Sequence, residues 1–303
     1  MKSAYLFYKM EALKMEKYNG KYVTIMLCSQ CNNNCKHCYV KYDGRFTDEQ
    51  LAKFMPTLTK NYIVLLNGTE PILFPEYFKY FKMANEHRIL TNGIEILRNP
   101  NVMNQLLENE INEVWLSYHF GIQDDLSSIS ILQLNNVVDM LKQNGFIIKL
   151  LCSLSTHNYN NITDFCNNAI ELGVNKIKFT NFISQGHAKD NFINQEFLNQ
   201  DQINQVLGEI DSLRLIIPKD KLVIQRCGTF GPNPNKNNFS CLAGNDMIVL
   251  TPNKKIYSCV FDISSESCIG YMDDNNNLII QKNNMYRDKS YCKVLKKYNG
   301  VGK

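Results

Sequence analysis

At 303 residues, with 44% hydrophobic and 20% charged side chains, the chain has the length for one large domain plus a small one and is too apolar for a disordered segment. The 33 basic and 29 acidic residues leave a formal charge of +4, much of it in the tail from Lys293 to Lys303, which reads as a solvated end and not as a nucleic-acid surface. No apolar run reaches the ~18 residues of a membrane span, and Lys9, Glu11, Lys14 and Glu16 spoil the start as a signal peptide. The 11 cysteines are therefore expected in a reducing, cytoplasmic setting, kept for metal or catalysis rather than for disulfides.

After an N-terminal extension of residues 1–20, the β-branched run Tyr22 to Leu27 reads as a buried strand that ends in a loop. That loop carries Cys31, Cys35 and Cys38, three thiols within eight residues, with Cys28 just before them. Soft thiolates select iron–sulfur clusters or zinc. Spacing alone leaves both open: Cys31, Cys35 and Cys38 suit a cluster with one free iron, and the same three with Cys28 suit a four-thiolate zinc knuckle.

Downstream, strand-like and helical runs alternate. Thr47 and Gln50 form a capping box ahead of a helix with Leu51, Phe54, Met55 and Leu58 on one side. Strands follow at Tyr62 to Leu66, Arg88 to Thr91, Glu113 to Tyr118, Phe146 to Ser153 and Lys176 to Asn181. Helices are expected near Pro75 to Asn85, Val102 to Glu108, Ser130 to Gln143 and Ile162 to Leu172. Parallel strands need helix-sized crossovers, so the pattern implies an α/β fold with helices outside a curved parallel sheet, and a site in the loops at the carboxyl ends of the strands. Past residue 190 the alternation stops. A helix from Gln200 to Ile210 and a strand-like Leu213 to Ile217 lead to Cys227, Cys241, Cys259, Cys268 and Cys292, with a hairpin at Met247 to Ser258 turning at Pro252-Asn253.

The Cys31-x3-Cys35-x2-Cys38 spacing after the first strand resembles the signature of the radical S-adenosylmethionine (SAM) superfamily, with His37 where an aromatic residue is common. The resemblance implies a partial (β/α)6 barrel of radical SAM type, followed by a small cysteine-rich domain that contains the hairpin. It makes Cys31, Cys35 and Cys38 the ligands of a catalytic [4Fe–4S] cluster whose open iron chelates SAM, with reductive cleavage to methionine and a 5′-deoxyadenosyl radical and an electron donor such as flavodoxin or ferredoxin. Asn67-Gly68-Thr69-Glu70-Pro71 is similar to the family's Gly-Gly-Glu-Pro element, so Gly68, Thr69, Glu70 and Pro71 are expected at the SAM amino group. Ser117, Ser153 and Asn181, at the ends of later strands, are further expected SAM contacts, and Gly186-His187-Ala188 resembles the Pro-x-Gly-Arg-Ala loop with His187 in place of Arg.

Cys241-Leu-Ala-Gly244, the hairpin and Tyr257-Ser-Cys259 resemble SPASM and twitch domains, with Lys254 at the usual turn glycine. The later cysteine run of a full SPASM domain is missing, so the resemblance implies a shortened, twitch-like domain with one auxiliary [4Fe–4S] cluster on Cys227, Cys241, Cys259 and Cys292. The expected division is a barrel at 21–190, a helical and strand segment completing its side at 191–226, and the auxiliary domain at 227–303. The expected activity is hydrogen abstraction from a ribosomally made peptide, giving a cross-link or an epimer, with Cys268 a candidate hydrogen-atom donor that could equally replace an auxiliary ligand or be a packed core thiol. A dehydrogenase or carbon-skeleton enzyme acting on a small molecule, and a non-enzymatic zinc-binding interaction protein, are the alternatives.

Overall fold

The computed structural model describes residues 21–191, 196–230, 242–244, 246–281 and 292–300. Six parallel strands follow in chain order: β1 (Tyr22–Met26), β2 (Ile63–Asn67), β3 (Arg88–Thr91), β4 (Glu113–Ser117), β5 (Ile147–Leu154) and β6 (Lys176–Asn181). β7 (Val223–Arg226) adds a parallel strand beside β6, and β8 (Met247–Leu250) one beside β1. The ladder breaks between β2 and β3, dividing the wall into a six-stranded sheet, β11-β10-β9-β8-β1-β2, and a five-stranded one, β3-β4-β5-β6-β7. β9 (Lys255–Tyr257), β10 (Cys268–Met272) and β11 (Leu278–Ile280) are antiparallel, so the C-terminal hairpin grows directly out of the barrel wall through β8.

The crossovers are helical, as their length and periodicity require. α1 (Asp48–Asn61) starts at the expected box: the Gln50 N–H donates to Thr47 Oγ1 at 3.1 Å and the Thr47 N–H to Gln50 Oε1 at 2.8 Å. Such caps stabilise a helix by about 1 kcal/mol. Leu51, Phe54, Met55 and Leu58 are its buried face. α2 (Phe78–Ala84), α3 (Ile94–Arg98), α4 (Val102–Glu108), the short α5 (Gln123–Leu126), α6 (Ile131–Gln143) and α7 (Ile162–Glu171) follow, then α8 (Gly186–Asn191), α9 (Gln200–Ile216) and α10 (Lys293–Tyr298). The expected strand at Leu213 to Ile217 is instead the last turns of α9. Its Leu213 completes the helical stripe of Ile203, Val206, Leu207 and Ile210, and that longer 3.6-residue pattern overrides the local β-branched pair.

The five-stranded sheet separates its two faces cleanly. Ile89, Val114, Leu116, Ile148, Leu150, Ile177 and Phe179 are buried under the helices. Their neighbours Arg88, Leu90, Trp115, Ser117, Leu151, Ser153, Lys178 and Thr180 point the other way, and all keep partial exposure. Successive strand residues face opposite sides, so this second set lines an open inner face. At the hairpin turn, Lys254 holds a φ of +59°, the left-handed conformation for which a glycine is the ordinary choice; a side chain there costs about 1–2 kcal/mol. Among the described residues no helix is long and apolar enough to cross a membrane.

Candidate active site

The cysteine loop leaves the carboxyl end of β1 and is held from several directions. Cys28 closes the strand: it is fully buried, and a Cβ added at Gly68 would sit 3.0 Å from its Sγ. Gly68 suits this close approach, and the Thr69 N–H donates to Cys28 O at 2.9 Å. Burial pushes the Cys28 thiol up to about 12, that of an inert packed cysteine. Cys31, Cys35 and Cys38 are less buried. They lie near enough to act on one another: burial first, then Cys31 and Cys38, push Cys35 up to about 12, while burial, Glu70 and Cys38 act on Cys31, at about 11. Burial also raises Cys38. The Asn33 N–H and Asn92 Nδ2 each donate to Cys31 Sγ at 3.4 Å. Asn33 Nδ2 donates to Ser127 Oγ at 2.7 Å, and the Lys36 N–H donates to Leu126 O at 2.9 Å, which ties the loop to the segment around α5.

From the other side α8 closes on the same loop. Gly186 adopts φ +54°, and a Cβ there would lie 2.6 Å from Cys38 O and 2.9 Å from Val40 O, so only glycine permits this contact. The Ala188 N–H donates to Cys38 O at 3.3 Å, His187 Nδ1 lies 3.3 Å from Cys35 O, and Asn191 Nδ2 donates to Lys36 O at 3.2 Å.

The other expected residues gather at this mouth, with roles the sequence did not reveal. Glu70 is 1% exposed, accepts from the Thr91 hydroxyl and, at 2.9 Å, from the Asn92 N–H, and burial raises its carboxyl to about 8. Its side chain thus joins the loop after β2 to the loop after β3. Pro71 is buried at the start of a short 3-10 turn. Ser153 lies within β5, its Oγ 3.0 Å from that of Thr180, and its N–H donates to His119 Nδ1 at 3.1 Å. Ser117 ends β4 on the same inner face. His37 meets His119 edge-on at 4.4 Å and stacks on Phe182 at 5.2 Å, and burial lowers it to about 4, a neutral ring. Asn181 is 3% exposed with neither side-chain amide atom partnered. Sequence reading missed Asn92; its place just past a strand end was the available signal.

Buried polar atoms without a protein partner concentrate at the same end. Of seven buried side-chain nitrogen and oxygen atoms without a partner among the described residues, five belong to Asn32, His37, Asn67 and Asn181, all in the cysteine loop or at a carboxyl strand end. Each costs about 1–3 kcal/mol if left so. No family model and no curated protein matches the chain. Solved structures do match. SuiB of Streptococcus suis, bound to its precursor peptide SuiA, superposes with a TM-score of 0.65 at 14% identity, over 84% of this chain and 63% of that one. anSMEcpe with bound AdoMet and the Kp18Cys peptide gives 0.62 at 19% identity, over 92% and 80%. Both are radical SAM enzymes. This chain has the radical SAM fold.

It spans a little under two thirds of the length of the SuiB structures. The donor set suits a radical SAM cluster better than zinc. The zinc alternative needs Cys28, whose thiol is sealed in the core, and among the described residues no three His, Cys, Asp or Glu side chains close on a single ion. A [4Fe–4S] cluster spreads its thiolates over several irons and needs no such convergence. A cluster bound there would supply the positive charge that three half-buried thiols need in order to ionise, and the N–H donors on Cys31 would suit a ligating sulfur.

The C-terminal thiols are less completely described. Cys241 lies outside the described residues. Cys227 follows β7, with its N–H donating to Phe179 O at 2.8 Å, and Cys259, 9% exposed, follows β9. Tyr39 links them to the first loop: its ring packs on Phe261 at 4.7 Å, and its hydroxyl is raised by burial and then by Cys38, Cys259 and Cys227 together. Cys292 immediately precedes α10 and packs against the main core. Cys268 stands at the start of β10, its thiol donating to Gly270 O at 3.3 Å beside Tyr257 and Ile263.

Proposed function

We propose that this chain is a radical SAM enzyme acting on a peptide. The observation that carries the reading is that three neighbouring thiols on the loop after β1 and five buried polar atoms without a protein partner lie in that loop or at carboxyl strand ends. Cys31, Cys35 and Cys38 would hold the catalytic [4Fe–4S] cluster. When bound, that cluster supplies the electron for reductive cleavage of SAM and so for hydrogen abstraction from the substrate. The backbone from Gly68 to Pro71 faces the cluster loop because Glu70 anchors it to Thr91 and Asn92, so the carboxylate positions peptide groups instead of touching SAM. Asn181, with free amide atoms in a dry site, is suited to a polar group of SAM. Ser117 and Ser153 offer hydroxyls on the inner face, where substrate and SAM would meet. Cys227, Cys259 and Cys292, with Cys241, would hold one auxiliary [4Fe–4S] cluster. The peptide substrate is supported by the peptides bound to SuiB and anSMEcpe.

The test is anaerobic reconstitution with iron and sulfide, then incubation with SAM, a reductant such as reduced flavodoxin, and peptides encoded beside the gene, read by mass spectrometry. Formation of 5′-deoxyadenosine with a mass change on a peptide is the expected result. Zinc without acid-labile sulfide in the purified protein would overturn the enzyme reading, and turnover of a small molecule alone would overturn the peptide.

A further inference from the structure

The inner face of the five-stranded sheet is polar and neutral near the cysteine loop, with Ser117, Ser153 and Thr180, and strongly basic at its other end. There Trp115 of β4 sits among cations: Arg88 Cζ is 4.0 Å from its ring centroid, Lys149 Nζ 3.6 Å and Lys178 Nζ 5.4 Å. Lys176 is next to Lys149 in register across β5 and β6. Two carboxylates stand against these four cations. Glu86 holds Arg88 at 2.9 Å, and Glu113 accepts from Lys176 at 3.0 Å and from Trp115 Nε1 at 2.6 Å.

Lys149 and Lys178 are the least satisfied of the four. Lys149 is 5% exposed, yet its nearest carboxylate oxygen is 3.9 Å away, and among the described residues it makes no hydrogen bond. Burial, resisted by Glu113 and reinforced by Lys178, Arg88 and Lys176, brings its ammonium down to about 7. Lys178 keeps partial exposure on the open face and, among the described residues, has no ion pair. A buried ammonium held only by a long ion pair to Glu113, beside a second cation with no ion pair among the described residues and a flat aromatic ring, is the complement of a carboxylate.

We propose that this end of the inner face binds a carboxylate of the substrate through Lys149 and Lys178, with the neighbouring part of the substrate against Trp115; the substrate is then an acidic peptide. This rests on the peptide reading above. β5 runs from Lys149 to Ser153, so the carboxylate and the reacting end of the face are ~13 Å apart. An extended peptide covers that in about four residues, placing a Glu or Asp at that remove from the modified position.

Trp115 is the only tryptophan of the chain, so its emission reports on this end alone. Acetylated pentaglutamate amide, the pentaglutamine counterpart and inorganic phosphate are titrated separately into iron-reconstituted protein under anaerobic conditions. Pentaglutamate is expected to shift the emission saturably, more weakly as salt rises, and pentaglutamine is expected to have no effect. Lys178→Glu should bind pentaglutamate at least about tenfold more weakly, since it replaces an attraction by a repulsion. If that variant does not fold, Lys178→Gln decides on the same scale. No response to pentaglutamate, a response equal to that of pentaglutamine, or unchanged affinity in the Lys178 variants would overturn the site. Phosphate binding as tightly as pentaglutamate would overturn the peptide in favour of a phosphorylated ligand. Iron content and SAM cleavage on the same sample report separately on the enzyme reading, so either proposal can fail without the other.

Discussion

The two thiol sets of this chain are built in opposite ways. Cys31, Cys35 and Cys38 come from one loop of eight residues, clamped by α8, by Ser127 and by the Asn92 amide. Cys227, Cys259 and Cys292, proposed above as ligands of a second cluster, lie on three distant segments, and Cys227 and Cys259 owe their places to the pairing of β7 with β6 and of β8 with β1. A loop brings its thiols together at small entropic cost, whereas the second set has to wait for long-range strand pairing. The first set should therefore tolerate damage elsewhere in the fold, and the second should be the more sensitive reporter of folding.

The largest effect expected is from replacing Cys31, Cys35 and Cys38 together with Ala. Iron after reconstitution should fall from roughly eight to about four per chain, and 5′-deoxyadenosine should vanish. SAM cleavage surviving in that variant would remove the catalytic assignment. Replacing Cys227 and Cys259 with Ala should lose a similar amount of iron but keep SAM cleavage, because a site missing two thiolates binds metal weakly while the first loop is untouched. Roughly four irons in the unaltered protein would show that no auxiliary cluster exists.

Gly186→Ala tests the clamp itself. The new methyl group meets Cys38 O and Val40 O, and the positive φ adds strain, so a loss of about 1–3 kcal/mol is expected in chemical unfolding. Iron should be lost from the first set and retained by the second, and equal loss from both would deny that α8 acts on one loop alone.

A smaller effect concerns Lys149. Its folded-state pKa of about 7 lies below that of an unfolded lysine, so between about pH 7 and 10 the unfolded chain binds more protons. Stability contributed at this position therefore rises with pH through that window and is poorest below it. Lys149→Met should raise the melting temperature most near pH 6, with the gain shrinking by about pH 9; a gain independent of pH would contradict the shift.

The smallest effect is expected at Cys268. Packed beside Tyr257 and donating to Gly270 O, it should cost about 1–2 kcal/mol on change to Ala, with iron and product unaltered. Intact clusters with lost or diverted product would instead establish the hydrogen-donor role read from the sequence.

By itself the sequence determined what is local: the strand and helix alternation, the Thr47 and Gln50 cap, the hairpin turning at Pro252-Asn253, and the spacing of the first three thiols. These depend on side-chain periodicity, turn chemistry and short loops, which neighbouring residues settle between them. Tertiary structure decided the rest. It withdrew Cys28 from its neighbours by packing it on Gly68, and it turned Glu70 away to Thr91 and Asn92. It drew Leu213 to Ile216 into a helix through the buried stripe that Leu213 completes. It also gathered Arg88, Trp115, Lys149 and Lys178 from four strands onto one face. Residues 25 to 35 positions apart carry no mutual pattern along the chain; only strand register, which is fixed by burial of the opposite face, makes them neighbours.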